Sequence, residues 1–452
     1  MLVVVILLCL QVVSSSGLQL TLQTNNILPR KWVVPEKVPF GDISRLKLVE
    51  DVKEEDASPP PSSSGRSIRI ATRAVGLNFA DVFTVLGYYT AANLVRTKQL
   101  YPFCPGLEFS GIAMDSCGDF QRGDKVFGFS RFDSYADQVT AAPEVLRKLP
   151  PTWTFEQGAA FLVNALTAWH GLVTVAGMPD FTAKTNDSRQ QKAAAGDDPK
   201  QHPHVVLVHS ATGGVGLYAC EIAARQGALV VGIVGSENKL QTFRDRIVPL
   251  CPEAQCIVRS PNKAQFANDL LSATVKARSL KIGKAPPAPI ENTKDALAVD
   301  WGIDFVMESY GSKYFDASMD LLNAGGSLAT FGSTTYNGGT GGNRLAFLPL
   351  AWQYLRRPKV DPGDLTARNI RVGGFNLIFL TERTDQLADS LDQCVRCLEG
   401  GKGDGTLSTA QPPLVGKVFA FEQAPDALCA LRSGETVGKV VLSNPKNPVS
   451  LS

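Results

Sequence analysis

The sequence predicts an α/β chain: a doubly wound parallel sheet with helices on its faces, accompanied by a smaller β-rich unit. Three observations carry this. Residues 205–208, VVLV, form a β-branched run of the kind found in buried parallel strands. They lead into a glycine cluster, Gly213, Gly214 and Gly216, after which the apolar positions become Val215, Ala219, Ile222 and Ala223, the i, i+4, i+7, i+8 spacing of a helix face. Residues 102–150 alternate short apolar runs with Gly and Pro, the pattern of several short strands in a barrel-like domain.

Taken in order, SRLKLVE (44–50) predicts a strand, EEDASPPPSSSGR (54–66) a polar loop, and SIRIATRAVG a second strand that ends in a turn before Asp81. The period of residues 154–173 is helical, with Thr154 as N-cap and Glu156 and Gln157 in the first turn. Residues 179–204 are a polar insert without apolar period, a surface excursion or disordered segment. Gly227 sits where the helix after the glycine cluster would stop, and ALVVGIV (228–234) is the next strand. Helices are expected around 239–246 and 263–281, strands at 302–311 and 325–334, and a helix at 314–322 between them. RVGGFNLIFL (371–380) reads as the last strand of this alternation. A helix containing Cys394 and Cys397 follows, and residues 415–442 read as strand, helix, strand.

The strand–glycine–helix junction matches the dinucleotide fingerprint G-x-G-x-x-G, with Ala211 at the first glycine, then Gly213 and Gly216. Glycine at 213 lets the backbone approach a pyrophosphate, glycine at 216 lets helix pack on strand, and the helix N-terminus offers unpaired N–H groups to phosphate. NAD sites place Asp or Glu at the end of the second strand to hold the ribose 2′-hydroxyl. Here that place reads Gly235-Ser236-Glu237-Asn238-Lys239. Ser236 and Lys239 suit a 2′-phosphate, which favours NADPH, while Glu237 reads as a first-turn helix acid.

The 452 residues, 44% hydrophobic and 19% charged with a net charge of +2, suffice for two domains and carry no basic block for nucleic acid. The nine cysteines show no metal-type pairing beyond Cys394-x-x-Cys397, which reads as helix packing. The four histidines form no metal constellation, so no metal site is expected. At the N-terminus, Leu2–Val13 is apolar but shorter than a membrane span, and Ser14 and Ser16 precede a cleavage-like point near Gly17. Residues 1–40 are therefore expected to be a targeting segment outside the fold. It would give entry to the secretory route, with a plastid (bipartite targeting), secretion or the endomembranes as destination, or it is an uncleaved anchor.

Several motifs in order across residues 44–443 resemble one family: AVGLNFADVFTVLGYY, PFCPGLEFSG, GDKVFGF, LVNALTAWHGL, VLVHSATGGVG, VGSENK, DFVMESYG, GGSLATFGS and GETVGKVVL. The chain resembles the zinc-independent quinone oxidoreductases and enoyl reductases of the medium-chain dehydrogenase/reductase superfamily, and RNIRVGGFNLIFL with FLVNALTAW is most similar to the synaptic vesicle membrane protein homologues. The resemblance implies a GroES-like catalytic domain at 41–163, completed by 379–446 and interrupted by a Rossmann NADP-binding domain at 164–378. Zinc alcohol dehydrogenases carry a Cys in the segment that reads GLNFAD here, and G-H-E where this chain has Gly106-Leu107-Glu108. Without such a Lewis acid, acceptors that take hydride readily are expected: quinones, or C=C bonds conjugated to a carbonyl.

Asn78 matches the family's active-site asparagine, whose amide can bond the substrate oxygen or the nicotinamide ribose. Tyr89 matches a tyrosine that can orient substrate or give a proton. The alternatives are that Asn78 only holds the turn before Asp81 and that Tyr89 is a rim aromatic, and Tyr88 is not separable from Tyr89 by sequence. The expected cofactor-binding set is Thr167, Ala211, Gly213, Gly214, Val215, Gly216, Ser236, Lys239, Phe331 and Gly332, with Phe375 lining the pocket. Family members often carry a tyrosine near the adenosine where CIVRSPN has Arg259 and Ser260; Arg259 either meets the 2′-phosphate or is a solvated cation. Two functions follow. One is NADPH-dependent reduction of a quinone or activated alkene by a homodimer. The other is a non-catalytic nucleotide-binding protein associated with membrane or lipid, although no basic amphipathic helix supports membrane association.

Overall fold

The computed structural model describes residues 28–36, 42–50, 64–89, 102–179, 203–311, 313–332, 352, 355, 357–381, 383–400 and 405–447. The apolar leader and nearly all of the polar insert lie outside them. Residues 30–34, which the sequence leaves in the targeting segment, are part of the fold. Strand β1 (Arg30–Val33) pairs antiparallel with β2 (Lys47–Glu50), and Trp32, Val33 and Val34 are buried. The Trp32 indole N–H donates to Phe421 O at 2.8 Å, and Arg30 pairs with buried Asp137 at 3.0 Å. The first domain thus starts before residue 41.

Strand β3 (Ile68–Gly76) is nearly all buried and leads through Leu77 and Asn78 into helix α1 (Phe79–Val85). Strands β4 (Glu108–Ala113), β5 (Lys125–Phe129), β6 (Gln138–Ala141) and β7 (Leu146–Lys148) follow, joined by the Gly- and Pro-rich turns. Thr154 caps the next helical turn, its Oγ1 accepting the Gln157 N–H at 3.2 Å. Helix α2 (Leu162–Trp169) continues as a π-helical turn over His170–Val175. The stretch Phe155–Val175 has the length and apolarity of a membrane span, yet most of it is buried inside the protein as a core helix.

The doubly wound domain comprises β8 (Val205–His209), α3 (Gly214–Arg225), β9 (Leu229–Val234), α4 (Leu240–Ile247), β10 (Gln255–Val258), α5 (Lys263–Ile282), β11 (Ile303–Glu308), β12 (Leu322–Thr330) and β13 (Arg371–Gly374). Its six strands are all parallel in the order β10-β9-β8-β11-β12-β13, so the first strand lies centrally and the winding reverses between β8 and β11. Val205–Val208 are at most 1% exposed, as a strand covered on both faces requires. Each such aliphatic side chain contributes about 1.5–3 kcal/mol on burial. The expected strand over 371–380 is cut short. The chain leaves the sheet after Gly374, Asn376 Oδ1 accepts the Ile378 N–H at 3.4 Å, and Leu377–Leu380 form a 3-10 turn.

Helix α6 (Thr384–Leu398) packs on α2 and α3, with Cys394 and Cys397 buried at that contact. The chain then returns to the first domain through β14 (Val415–Ala420), α7 (Ala424–Arg432) and β15 (Lys439–Ser443). Strand β15 pairs antiparallel with β3, completing the sheet β14-β15-β3-β4-β5-β7, with β6 also on β3. The fold is the expected one: a β-rich domain built from both ends of the described chain, interrupted by a doubly wound domain.

Candidate active site

A cleft of about 800 Å³ opens where the two domains meet, beyond the carboxyl ends of β8, β9, β11 and β12. This is where an open α/β sheet binds ligands, because the helices after neighbouring strands diverge at the reversal point. One wall is the glycine turn. Ser210 takes a left-handed φ of 54°, and Gly213 donates its own N–H to Ser210 O at 2.9 Å. Helix α3 starts at Gly214, so the first-turn amides of Gly214, Val215 and Gly216 lack intrahelical acceptors and face the cleft side. A Cβ on Gly216 would stand 2.1 Å from Ser210 O, and one on Gly214 would stand 2.6 Å from Asn164 Nδ2. Both positions need glycine for close approach. Ala211 departs from expectation. It is fully buried behind the turn, its N–H donates to Ile233 O at 2.9 Å, and it does not line the cleft.

The end of β9 also differs from the sequence reading. Ser236 is not part of the cleft lining, and its hydroxyl donates to Asn238 Oδ1 at 2.6 Å. Lys239 lines the cleft, but its ammonium donates to Gly434 O at 2.6 Å and Thr436 O at 3.1 Å, tying the doubly wound domain to the loop before β15. Burial, and then Arg259, lower the Lys239 pKa. Arg259 is no solvated cation. It lines the cleft just after β10, with its guanidinium carbon 3.9 Å from the centre of the Tyr310 ring and 5.4 Å from that of Tyr314. Its Nε and Nη2 have no hydrogen-bond partner among the described residues, and burial lowers its pKa.

The opposite wall comes from the β-rich domain. Asn78 caps α1 and is 9% exposed, with its backbone N–H on Asp81 Oδ2 at 2.8 Å. Its side-chain oxygen accepts from Lys439 Nζ at 2.7 Å, and its Nδ2 donates to Glu108 Oε1 at 3.0 Å and, more weakly, to Gly76 O at 3.4 Å. Lys439 also pairs with Glu108 at 2.5 Å and donates to Asn164 Oδ1 at 3.3 Å. Asp81, wholly buried below, is pushed up to about 7 by loss of water. Tyr89 faces the cleft and donates to Asn376 Oδ1 at 2.6 Å; burial raises its phenol to about 12. Tyr88 instead packs against the core of the β-rich domain.

Thr167 lines the cleft with its hydroxyl donated to Val163 O at 2.6 Å, and Phe331 and Gly332 directly follow β12 at its edge. The Phe331 ring lies 5.9 Å from that of Phe375, which also lines the cavity. The structure therefore gathers Asn78, Tyr89, Thr167, Gly213, Gly214, Val215, Gly216, Lys239, Phe331 and Gly332 around one cavity, and leaves out Ala211 and Ser236. Sequence reasoning missed Glu108, Asn164, Asn376 and Lys439 as members of the site. The available signal was a polar residue at a core position: Asn164 within the apolar helix LVNALTAW, and Lys439 heading the apolar strand KVVL.

Residues 288–442 match the family model described as zinc-binding dehydrogenase. Over 411 residues the chain is 26% identical to a quinone oxidoreductase of Mus musculus, covering 89% of this chain and 95% of that protein. It is 23% identical over 418 residues to the mouse synaptic vesicle membrane protein VAT-1 homolog-like, covering 91% and 81%. Among solved structures it superimposes on a mycobacterial protein complexed with NADPH (TM-score 0.61, 22% identity, 92% of this chain and 100% of that one). It also superimposes on the CurK enoyl reductase (TM-score 0.62, 21% identity, 92% and 99%).

The zinc of the family model's description finds no donor set among the described residues. Among the described residues no group of three His, Cys, Asp or Glu side chains lies close enough to hold a metal ion. Beside Asn78, the cleft is lined by the Leu107 side chain and by an ammonium, neither of which can ligate a cation. The glycine turn, in contrast, fits a dinucleotide: three helix-start amides border a hollow that a Cβ at Gly216 would distort.

Proposed function

We propose that this chain, an oxidoreductase of the medium-chain dehydrogenase/reductase superfamily, uses NADPH to reduce a quinone or a C=C bond conjugated to a carbonyl, without zinc. The observation that carries this reading is the cleft itself. It sets the amides of Gly214, Val215 and Gly216 on one wall and Asn78 and Tyr89 on the other. When bound, the nicotinamide supplies a hydride; reduction of a quinone to a hydroquinone then consumes one proton from the medium or from the protein.

The chain's own groups have distinct tasks in this scheme. The α3 amides hold the pyrophosphate. Arg259, rather than Ser236 or Lys239, supplies the positive charge near the end of β9, where no carboxylate among the described residues lines the cleft, and this supports NADPH over NADH. The mycobacterial structural neighbour with NADPH points the same way. Phe331 and Phe375 give the cavity an apolar edge suited to a planar acceptor. Burial keeps the Tyr89 phenol protonated across the working range, and an acceptor oxygen that displaces Asn376 Oδ1 as its partner receives that hydrogen bond.

NADPH oxidation is to be followed with simple quinones, enals and enones, alongside calorimetric titration of NADPH. Turnover is expected with at least one acceptor. Tyr89→Phe is expected to lower kcat on the order of 10–100-fold while leaving the affinity for NADPH unchanged. Tight nucleotide binding with no turnover of any acceptor would instead favour the non-catalytic reading.

A further inference from the structure

Lys439 stands immediately after Gly438, whose N–H donates to Thr212 O at 2.8 Å in the glycine turn. Its side chain is 4% exposed, and its three N–H bonds reach three separate elements. They are Glu108 Oε1 on β4 at 2.5 Å, Asn78 Oδ1 at the start of α1 at 2.7 Å, and Asn164 Oδ1 on α2 at 3.3 Å. Glu108 is occupied on both oxygens, with the Val163 N–H on Oε2 at 3.0 Å and the Asn78 amide on Oε1. Asn164 in turn abuts the glycine turn, where a Cβ on Gly214 would collide with it.

We propose that the buried ammonium of Lys439 does the organising work of a bound cation in this cleft: it gathers Asn78, Glu108 and Asn164 and fixes the Asn78 amide with its oxygen inward and its N–H toward the acceptor. An amide can present either end, and only its partners decide which. With the oxygen on Lys439 and one Nδ2 hydrogen on Glu108, the second hydrogen has only the 3.4 Å contact to Gly76 O and remains available to a ligand. Rotated by half a turn, the same amide would turn its oxygen toward the carbonyl oxygen of the acceptor and repel it. The ammonium also repels any divalent ion that would enter among these residues. Lys439 is thus a positioning residue that acts through Asn78, and this role rests on the reductase reading above.

Truncating Lys439 alone would strand the Glu108 carboxylate in a dry site, so the test removes both charges with Lys439→Met plus Glu108→Gln. The expected result is a folded protein with NADPH affinity near wild type and kcat lowered on the order of 100-fold. Asn78→Ala is expected to lower kcat by a similar factor, and the combined triple variant to lose little more, because all three changes abolish one interaction. Lys439→Arg, which keeps a cation, is expected to retain most of the activity and tests the same point should the paired variant not fold. Wild-type kcat in the folded paired variant, losses that multiply with Asn78→Ala, an Arg variant as inactive as the paired one, or stoichiometric zinc in the purified active protein would each overturn the proposal. A wild-type protein that binds NADPH but reduces no acceptor defeats the underlying reductase reading instead, a result separable from all of these.

Discussion

Asp81 is a buried carboxyl beneath Asn78, bonded to the Asn78 N–H and more loosely to the Tyr135 hydroxyl at 3.3 Å. Its folded pKa is raised to about 7, against about 3.9 for an unfolded aspartate. Between those values the folded state keeps a proton that the unfolded chain releases. The associated stability is full below about pH 4 and is lost as pH rises through about 7. Asp81→Asn carries no such proton. The melting temperature of wild type relative to this variant is therefore expected to fall from pH 4 to pH 7 and level off above, as scanning calorimetry across that range would show; a constant gap would contradict it. Asn78 and Tyr89 were legible at this scale because they sit in short motifs. Lys439, Asn164 and Asn376 were not, because their partners lie 361, 275 and 287 residues away and no local period encodes such contacts.

In the proposed function, nucleotide binding depends on the strand–turn–helix of β8 and α3. Gly216→Ala would push a methyl to 2.1 Å from Ser210 O, so either the strand end or the helix start must move. The variant is expected to lose about 1–3 kcal/mol of stability and most of its affinity for NADPH, measured by thermal melts and calorimetry; retention of full affinity would show the turn to be dispensable. Local rhythm made this element readable from β8 through β9. The same rhythm misled over 371–380, where a largely apolar run broken only by Asn376 after Arg371 looks like a strand. The Asn376 side chain instead turns the backbone after Gly374 and places Leu377 and Ile378 against the cleft. Residues 30–34 were misassigned for the opposite reason: they adjoin an acid-poor leader in sequence, but Trp32 belongs to the core of the β-rich domain in space.

Among the described residues, the ties across the cleft include Lys239 to Gly434 and Thr436, Gly438 to Thr212, Tyr89 to Asn376, and Lys439 to Asn164. The first moves the proposed basis of cofactor choice from Lys239 to Arg259. Lys239→Met removes a tie between domains and is expected to weaken NADPH and NADH by a similar factor. Arg259→Gln is expected to weaken NADPH about tenfold more than NADH, roughly the worth of one charge-assisted phosphate contact. Titration of both variants with both nucleotides checks this, and selective loss of NADPH in the lysine variant would restore the reading taken from the sequence. The division into two kinds of domain was legible because composition and periodicity differ so sharply between residues 102–150 and 205–334. How the domains meet was not, since cross-cleft contacts leave no trace in either pattern.

The link between Gly438 and Thr212 has a bearing on how the protein is made. The glycine turn leaves the ribosome more than two hundred residues before Gly438, which braces it from the head of β15, and the hydrogen-bonding partner of that strand, β3, emerged earlier still. A growing chain can wind its parallel sheet early yet has neither a finished grip nor a closed outer sheet until that last strand arrives. On the function proposed above, coenzyme loading is expected to come late in biogenesis, and a chain lacking the final strand is expected to be impaired in both halves.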